Sequence, residues 1–98
     1  MNDLVITAKE VKGHCAAGIK VGDRMILRGA AIDLATTDCV CGFAFANLYP
    51  VIFAARLGHD LPELGLDRRV VQCIDPGPPY SSGGTVLFEI KKLAATEV

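Results

Sequence analysis

Short stretches of the chain alternate between apolar and polar residues in the pattern of half-buried β-strands. The alternation is clearest over residues 85–91, where Val86, Phe88 and Ile90 fall on one face. Weaker patterns, rich in β-branched residues, occur in three other segments. They predict further strands at residues 4–11, 23–27 and 69–74.

The longest apolar stretch covers residues 40–57 and predicts the main helix. Pro50 lies inside it and removes one backbone hydrogen bond, so we expect a kink there or a junction of two helical pieces. Gly58 favours an end to the helix. A membrane span ranks below a buried helix, because polar residues and Pro50 interrupt the stretch.

Apolar residues occur on nearly every side of this helix, which indicates burial against a partner as well as against the sheet. Tyr49 is expected in the core beside the proline. Five further large side chains have helical spacing and are also predicted to be core. They are Phe43, Phe45, Leu48, Ile52 and Phe53.

The predicted element order is therefore β-β-α-β-β. It indicates an α+β fold in which a small, mostly antiparallel sheet packs on one Pro-kinked helix. Residues 12–22 hold three glycines and are expected to form a loop, and the tail after Leu93 is expected to fray. With 98 residues and no long linker, residues 1–98 are predicted to be a single domain.

Charge and composition exclude several classes of function. The formal net charge is −1 and 21% of residues are charged, so no basic excess exists to bind nucleic acid or anionic lipid. The first residues lack the pattern of a secretory signal, which favours the cytoplasm. Thiols stay reduced in that compartment, so the four cysteines are expected to serve metal or redox chemistry.

The cysteines lie at the ends of three different predicted elements. Cys15 lies in the glycine-rich loop, Cys39 and Cys41 at the start of the helix, and Cys73 near the end of the third strand. A helix N-terminus stabilises thiolates, and thiolates are soft ligands suited to zinc or iron–sulfur clusters. The positions therefore predict a metal site at one end of the sheet.

Two other interpretations of the cysteines stay open at this point. Free cysteine often packs as a small buried hydrophobe, and the residues alone favour this as much as a metal site. The chain lacks a C-x-x-C pair, zinc-finger spacing and a ferredoxin run. A disulfide is the third interpretation and ranks lower in a reducing compartment.

Several separated motifs resemble a family of small, largely uncharacterised prokaryotic three-cysteine proteins that are thought to bind metal. Residues 12–23 are similar to its K-G-x-C-x-x-G-x-K-x-G-D start, and residues 41–56 to its C-x-x-A…L-Y-P…A-x-R helix. Residues 73–76 and 86–90 resemble its C-P-D-P…V-x-F-E-I ending. The chain departs from the family at Ile19, Gly42 and Ile74, and its linker over residues 77–84 is longer.

The resemblance implies that Cys15, Cys41 and Cys73 form the family's ligand set and that Cys39 is an extra cysteine. Three thiolates leave one position for a candidate fourth ligand, for which Cys39, His14 and Asp75 are available. A solvated loop histidine is the favoured interpretation of His14. We expect an iron–sulfur cluster of the 4Fe–4S type, with zinc as the alternative.

The expected function is that of a small iron–sulfur protein, an electron-transfer or accessory subunit of a larger enzyme, without catalytic activity of its own. The alternatives are a stand-alone enzyme with an open metal position and a structural zinc module for assembly. The expected partner is a larger enzyme subunit or a second copy of the chain, with neither nucleic acid nor membrane insertion.

Overall fold

The computed structural model describes residues 1–94, and its central feature is a five-stranded antiparallel sheet. The strand order is β3-β2-β1-β5-β4, with one helix against the sheet. The strands are β1 (Leu4–Gly13), β2 (Arg24–Arg28), β3 (Ala31–Ile32), β4 (Val70–Gln72) and β5 (Gly84–Lys92). The helix α1 spans Gly42–Arg56, and a 3₁₀-helix spans Leu61–Leu64.

The predicted α+β fold with one main helix and an antiparallel sheet is confirmed. All four predicted strands are present, and β3 is an additional two-residue strand in a segment without alternation. Pro50 lies within a single continuous helix, not between two helical pieces. Leu93 is buried and donates its N–H to the carbonyl of Asp3. The tail predicted to fray begins after Leu93, and its residues 95–98 lie outside the described residues.

The hydrophobic core lies between α1 and one face of the sheet. The helix contributes a narrow stripe of buried residues that contains two alanines, Ala44 and Ala55, beside Leu48 and Ile52. The small alanines let the helix approach the strands closely. The facing side of the sheet supplies Ile6, Val86 and Ile90 among others, whereas the opposite face holds only a minor cluster of Val5, Ile26 and Leu93 among the described residues.

The prediction that all the helical aromatics belong to the core is wrong. Phe43 is 77% exposed, Tyr49 51% and Phe53 47%, and only Phe45 is partly buried against the core. Phe45, Tyr49 and Phe53 instead contact one another along the outside of the helix, with ring centroids 6.0–6.2 Å apart. The helix is apolar on both sides, so its periodicity alone could not show which side faces the sheet.

No helix within residues 1–94 is long and apolar enough to cross a membrane.

Candidate functional site

Four elements end at the same edge of the fold. β1 ends at Gly13, which pairs with Gly84 at the start of β5. β4 ends at Gln72, whose carbonyl accepts a 2.9 Å hydrogen bond from the side-chain amide of Asn47 in the first half of α1. The end of β1, the start of β5, the end of β4 and the start of α1 therefore lie together.

Cys15, Cys41 and Cys73 line one pocket at this edge, with a volume of about 170 Å³. Cys15 follows β1, Cys41 is the N-cap residue of α1, and Cys73 follows β4. Most other lining residues are apolar, and Asp75 is the one charged residue among those described. The three cysteines that the family resemblance implies as the ligand set therefore line one pocket.

Two of these sulfurs already accept backbone hydrogen bonds. The Ala44 N–H lies 3.5 Å from Sγ of Cys41, and the Val86 N–H lies 3.3 Å from Sγ of Cys73. Such donors stabilise a thiolate and tune the potential of a cluster it binds. Neither N–H donor was predicted from the sequence. The sequence shows only that Cys41 lies at the start of the helix, and not which N–H groups face the two sulfurs.

The three cysteines share a pocket but do not form a metal-binding group. Within the part of the chain that the structure describes, no three His, Cys, Asp or Glu side chains are close enough together to hold a metal ion. A zinc tetrathiolate needs sulfurs about 3.8 Å apart, from a Zn–S bond of about 2.3 Å and tetrahedral geometry. The three cysteines line the pocket from three separate segments of the chain.

Cys39 does not line this pocket but lies close to it, because Cys41 lines both this pocket and the cavity of Cys39. It lines a smaller neighbouring cavity with Asp23 and Leu48, and its Sγ is placed to donate to the carbonyl of Ala17 at 3.7 Å. Burial raises the pKa of the Cys39 thiol, and the negative charge of Asp23 and the neighbouring thiols raises it further. Both effects favour the neutral thiol over the thiolate at Cys39.

Asp75 organises the loop that forms one wall of the pocket. Its Oδ1 accepts a 2.9 Å hydrogen bond from the Gly77 N–H and a short one from the Ser81 hydroxyl. These hydrogen bonds, the Ser81 bond first, lower the pKa of the Asp75 carboxyl. The Asp75 carbonyl accepts from the Thr85 hydroxyl at 2.9 Å, which ties the loop to the start of β5.

This loop role was not found from the sequence, which offered Asp75 only as a candidate ligand. The Asp75-Pro76-Gly77 segment carries the spacing of an Asx turn, in which an aspartate accepts from the N–H two residues on. That spacing could have pointed to the role. His14, the other candidate, is an exposed loop residue outside the residues that line the pocket.

Replacing Asp75 by alanine is expected to loosen the loop over residues 76–83. The Gly77 N–H and the Ser81 hydroxyl lose their acceptor, and half-buried donors without partners are costly. We expect a lower melting temperature and severalfold faster chymotrypsin cleavage at the exposed Tyr80. The matched control is Asp67→Ala, at an exposed aspartate before β4. Equal cleavage rates in the two variants would contradict the assigned role.

No protein-family model, curated protein or solved structure is significantly similar to this chain.

Proposed function

We propose that this chain is a small iron–sulfur protein that acts as an electron-transfer or accessory subunit of a larger enzyme. The observation that carries the proposal is the single pocket lined by Cys15, Cys41 and Cys73, which come from three separate segments. Buried hydrophobic cysteines have no need to share one pocket. Assignment to the three-cysteine family rests on the sequence motifs alone.

The donor set fits a cluster better than it fits zinc. The thiols surround a space of about 170 Å³, and a four-iron cluster fills such a space with a bulky body that spreads its ligands apart. A single zinc ion would require thiolates about 3.8 Å from one another. The N–H groups of Ala44 and Val86 supply the hydrogen bonds to sulfur that tune cluster potentials.

The reduced state of the cysteines is the second observation that supports the proposal. All four cysteines are free in the structure, so none is committed to a disulfide. Four free thiols remain reduced only in a reducing compartment. On that ground we propose that the protein is cytoplasmic.

The exposed aromatic residues of α1 support the proposal that the protein binds a partner. Phe43 is exposed and lines the pocket, so a protein docked on Phe43 would lie beside the proposed cluster. Large exposed apolar patches often mark interaction sites. The partner is proposed to be a larger enzyme subunit, and catalytic activity is assigned to that subunit.

The visible spectrum of protein purified without oxygen tests the proposal. We expect a brown protein whose broad absorption bleaches with dithionite and returns when an oxidised acceptor dye is added, because iron–sulfur clusters are one-electron carriers. A colourless protein that carries stoichiometric zinc would overturn the cluster assignment. A brown protein that neither bleaches nor recovers would overturn the electron-transfer role.

A further inference from the structure

Cys39 lies beside the turn that follows Cys15. The Gly18 N–H donates to the Cys15 carbonyl at 2.9 Å and closes this turn. Sγ of Cys39 lies 3.7 Å from the carbonyl oxygen of Ala17 within the turn. Cys39 also interacts electrostatically with Cys15 and with Cys41, which lines the same cavity as Cys39. These three cysteines therefore form one cluster of neighbouring thiols.

Two of these thiols have the setting that a reversible disulfide needs. Cys15 and Cys39 are both half-buried, so a small reagent can reach either sulfur. Cys15 lies between β1 and β2, and Cys39 lies between β3 and α1. They can approach to the S–S bond length of about 2.05 Å without breaking a helix or a strand. A disulfide joins only two sulfurs, so it does not require the group of three ligands that is absent from residues 1–94.

The other two cysteines have contacts that a disulfide to Cys39 would disturb. Sγ of Cys41 accepts from a backbone N–H as the N-cap of α1, and Sγ of Cys73 accepts from the Val86 N–H. Cys73 is also buried and does not line the cavity of Cys39. Within residues 1–94, no hydrogen bond of this kind holds Sγ of Cys15. Cys15 is therefore the partner that the contacts favour.

We propose that Cys15 and Cys39 form a thiol–disulfide exchange site that small-molecule disulfides oxidise. The thiolate of one cysteine attacks a sulfur of the small disulfide, whose S–S bond breaks, and a mixed disulfide forms as one small thiolate leaves. The thiolate of the other cysteine attacks the protein sulfur of that mixed disulfide and displaces the second small thiolate. Two protein thiols are thereby oxidised, one small disulfide is reduced, and both protons pass to the released thiols.

The disulfide would tie the loop after β1 to the segment that precedes α1. Disulfides in reducing compartments are mostly transient and redox-sensing, and this is the role that the proposal gives to the pair. Cys15 also belongs to the proposed ligand set, so the exchange concerns the metal-free chain. The proposal therefore neither needs the cluster nor decides whether one forms.

Peptide mapping of the metal-free full chain, incubated without oxygen with glutathione disulfide, tests the proposal. Free thiols are blocked with N-ethylmaleimide before digestion with trypsin, which cuts after lysine and arginine. Cys15 then falls in peptide 13–20, Cys39 and Cys41 in peptide 29–56, and Cys73 in peptide 70–91. We expect peptides 13–20 and 29–56 to be linked through Cys39, as tandem mass spectrometry can assign, and the link to be lost with dithiothreitol.

Cys39→Ser and Cys41→Ser are matched variants, because each removes one thiol from peptide 29–56. We expect the linked peptide to be lost in Cys39→Ser and to persist in Cys41→Ser. A link carried by Cys41 or Cys73, a disulfide within peptide 29–56, glutathione left on Cys15, or thiols that do not react would each overturn the proposal. Assignment of the link in the wild type keeps the test decisive if a variant fails to fold.

Discussion

Replacing Cys73 by serine is expected to abolish cluster binding and leave the fold in place. The serine hydroxyl can still accept from the Val86 N–H and donate to the Asp75 carbonyl, the two groups that surround the sulfur. The loss of folding free energy should therefore be about 1 kcal/mol. Loss of outer-shell residues costs metal sites about 10–100-fold in affinity, so loss of a ligand should cost at least that much.

The measurement is iron bound per chain after anaerobic reconstitution, with circular dichroism as the check on folding. Cys39→Ser is the matched control, because it changes a nearby cysteine that lines the neighbouring cavity and not the pocket with Cys73. We expect nearly full iron in the control and almost none in Cys73→Ser. Full iron in the Cys73 variant, or loss in the Cys39 variant alone, would show that the ligand set is wrong.

Replacing Gly84 by alanine is expected to destabilise the fold at the candidate site. A Cβ at this position would lie 2.6 Å from the carbonyl oxygen of Lys12 and 2.8 Å from backbone atoms of His14. The obstacle is backbone, so β1 and β5 must separate where they pair at Gly13 and Gly84. Overpacking of this kind costs about 1–3 kcal/mol.

Urea unfolding measures this cost, and Gly42→Ala is the matched control. Gly42 has no atom within 4 Å of its added Cβ and begins α1, where alanine is a better helix former. We expect the control to unfold at the same or a slightly higher urea concentration than the wild type. Equal midpoints for the two variants would contradict the close contact between the strands.

The strands were predictable from the sequence where each has one buried face. In β5, Val86, Phe88 and Ile90 are buried as their alternation predicts. β3 was not predictable, since its two residues carry no periodicity and form a strand only because Leu27 and Arg28 of β2 pair with them. The alternation of apolar and polar residues is sufficient to predict a long strand. A two-residue strand such as β3 exists only because a neighbouring strand pairs with it.

The side of the helix that faces the sheet could not be predicted from the sequence. Large aromatics look like core residues, yet the stripe that faces the sheet contains Ala44 and Ala55. Close approach of a helix to a sheet favours small side chains over rings. The aromatic side, with Tyr49 and Phe53, is left on the surface.

The site was predictable in outline and not in detail. The positions of the four cysteines at element ends indicated that they would meet. The family resemblance implied Cys15, Cys41 and Cys73 as the set, and these three line one pocket. The loop organised by Asp75 and the separate cavity of Cys39 depend on three-dimensional contacts between distant residues. Only the structure shows that Cys39 lines a second cavity, which it shares with Cys41.

Iron and acid-labile sulfide per chain, measured in wild-type protein isolated without oxygen, test the central claim most directly. The account predicts iron and sulfide in equal amounts, about four of each for a 4Fe–4S cluster held by three cysteines. A chain that contains zinc and lacks labile sulfide would contradict it.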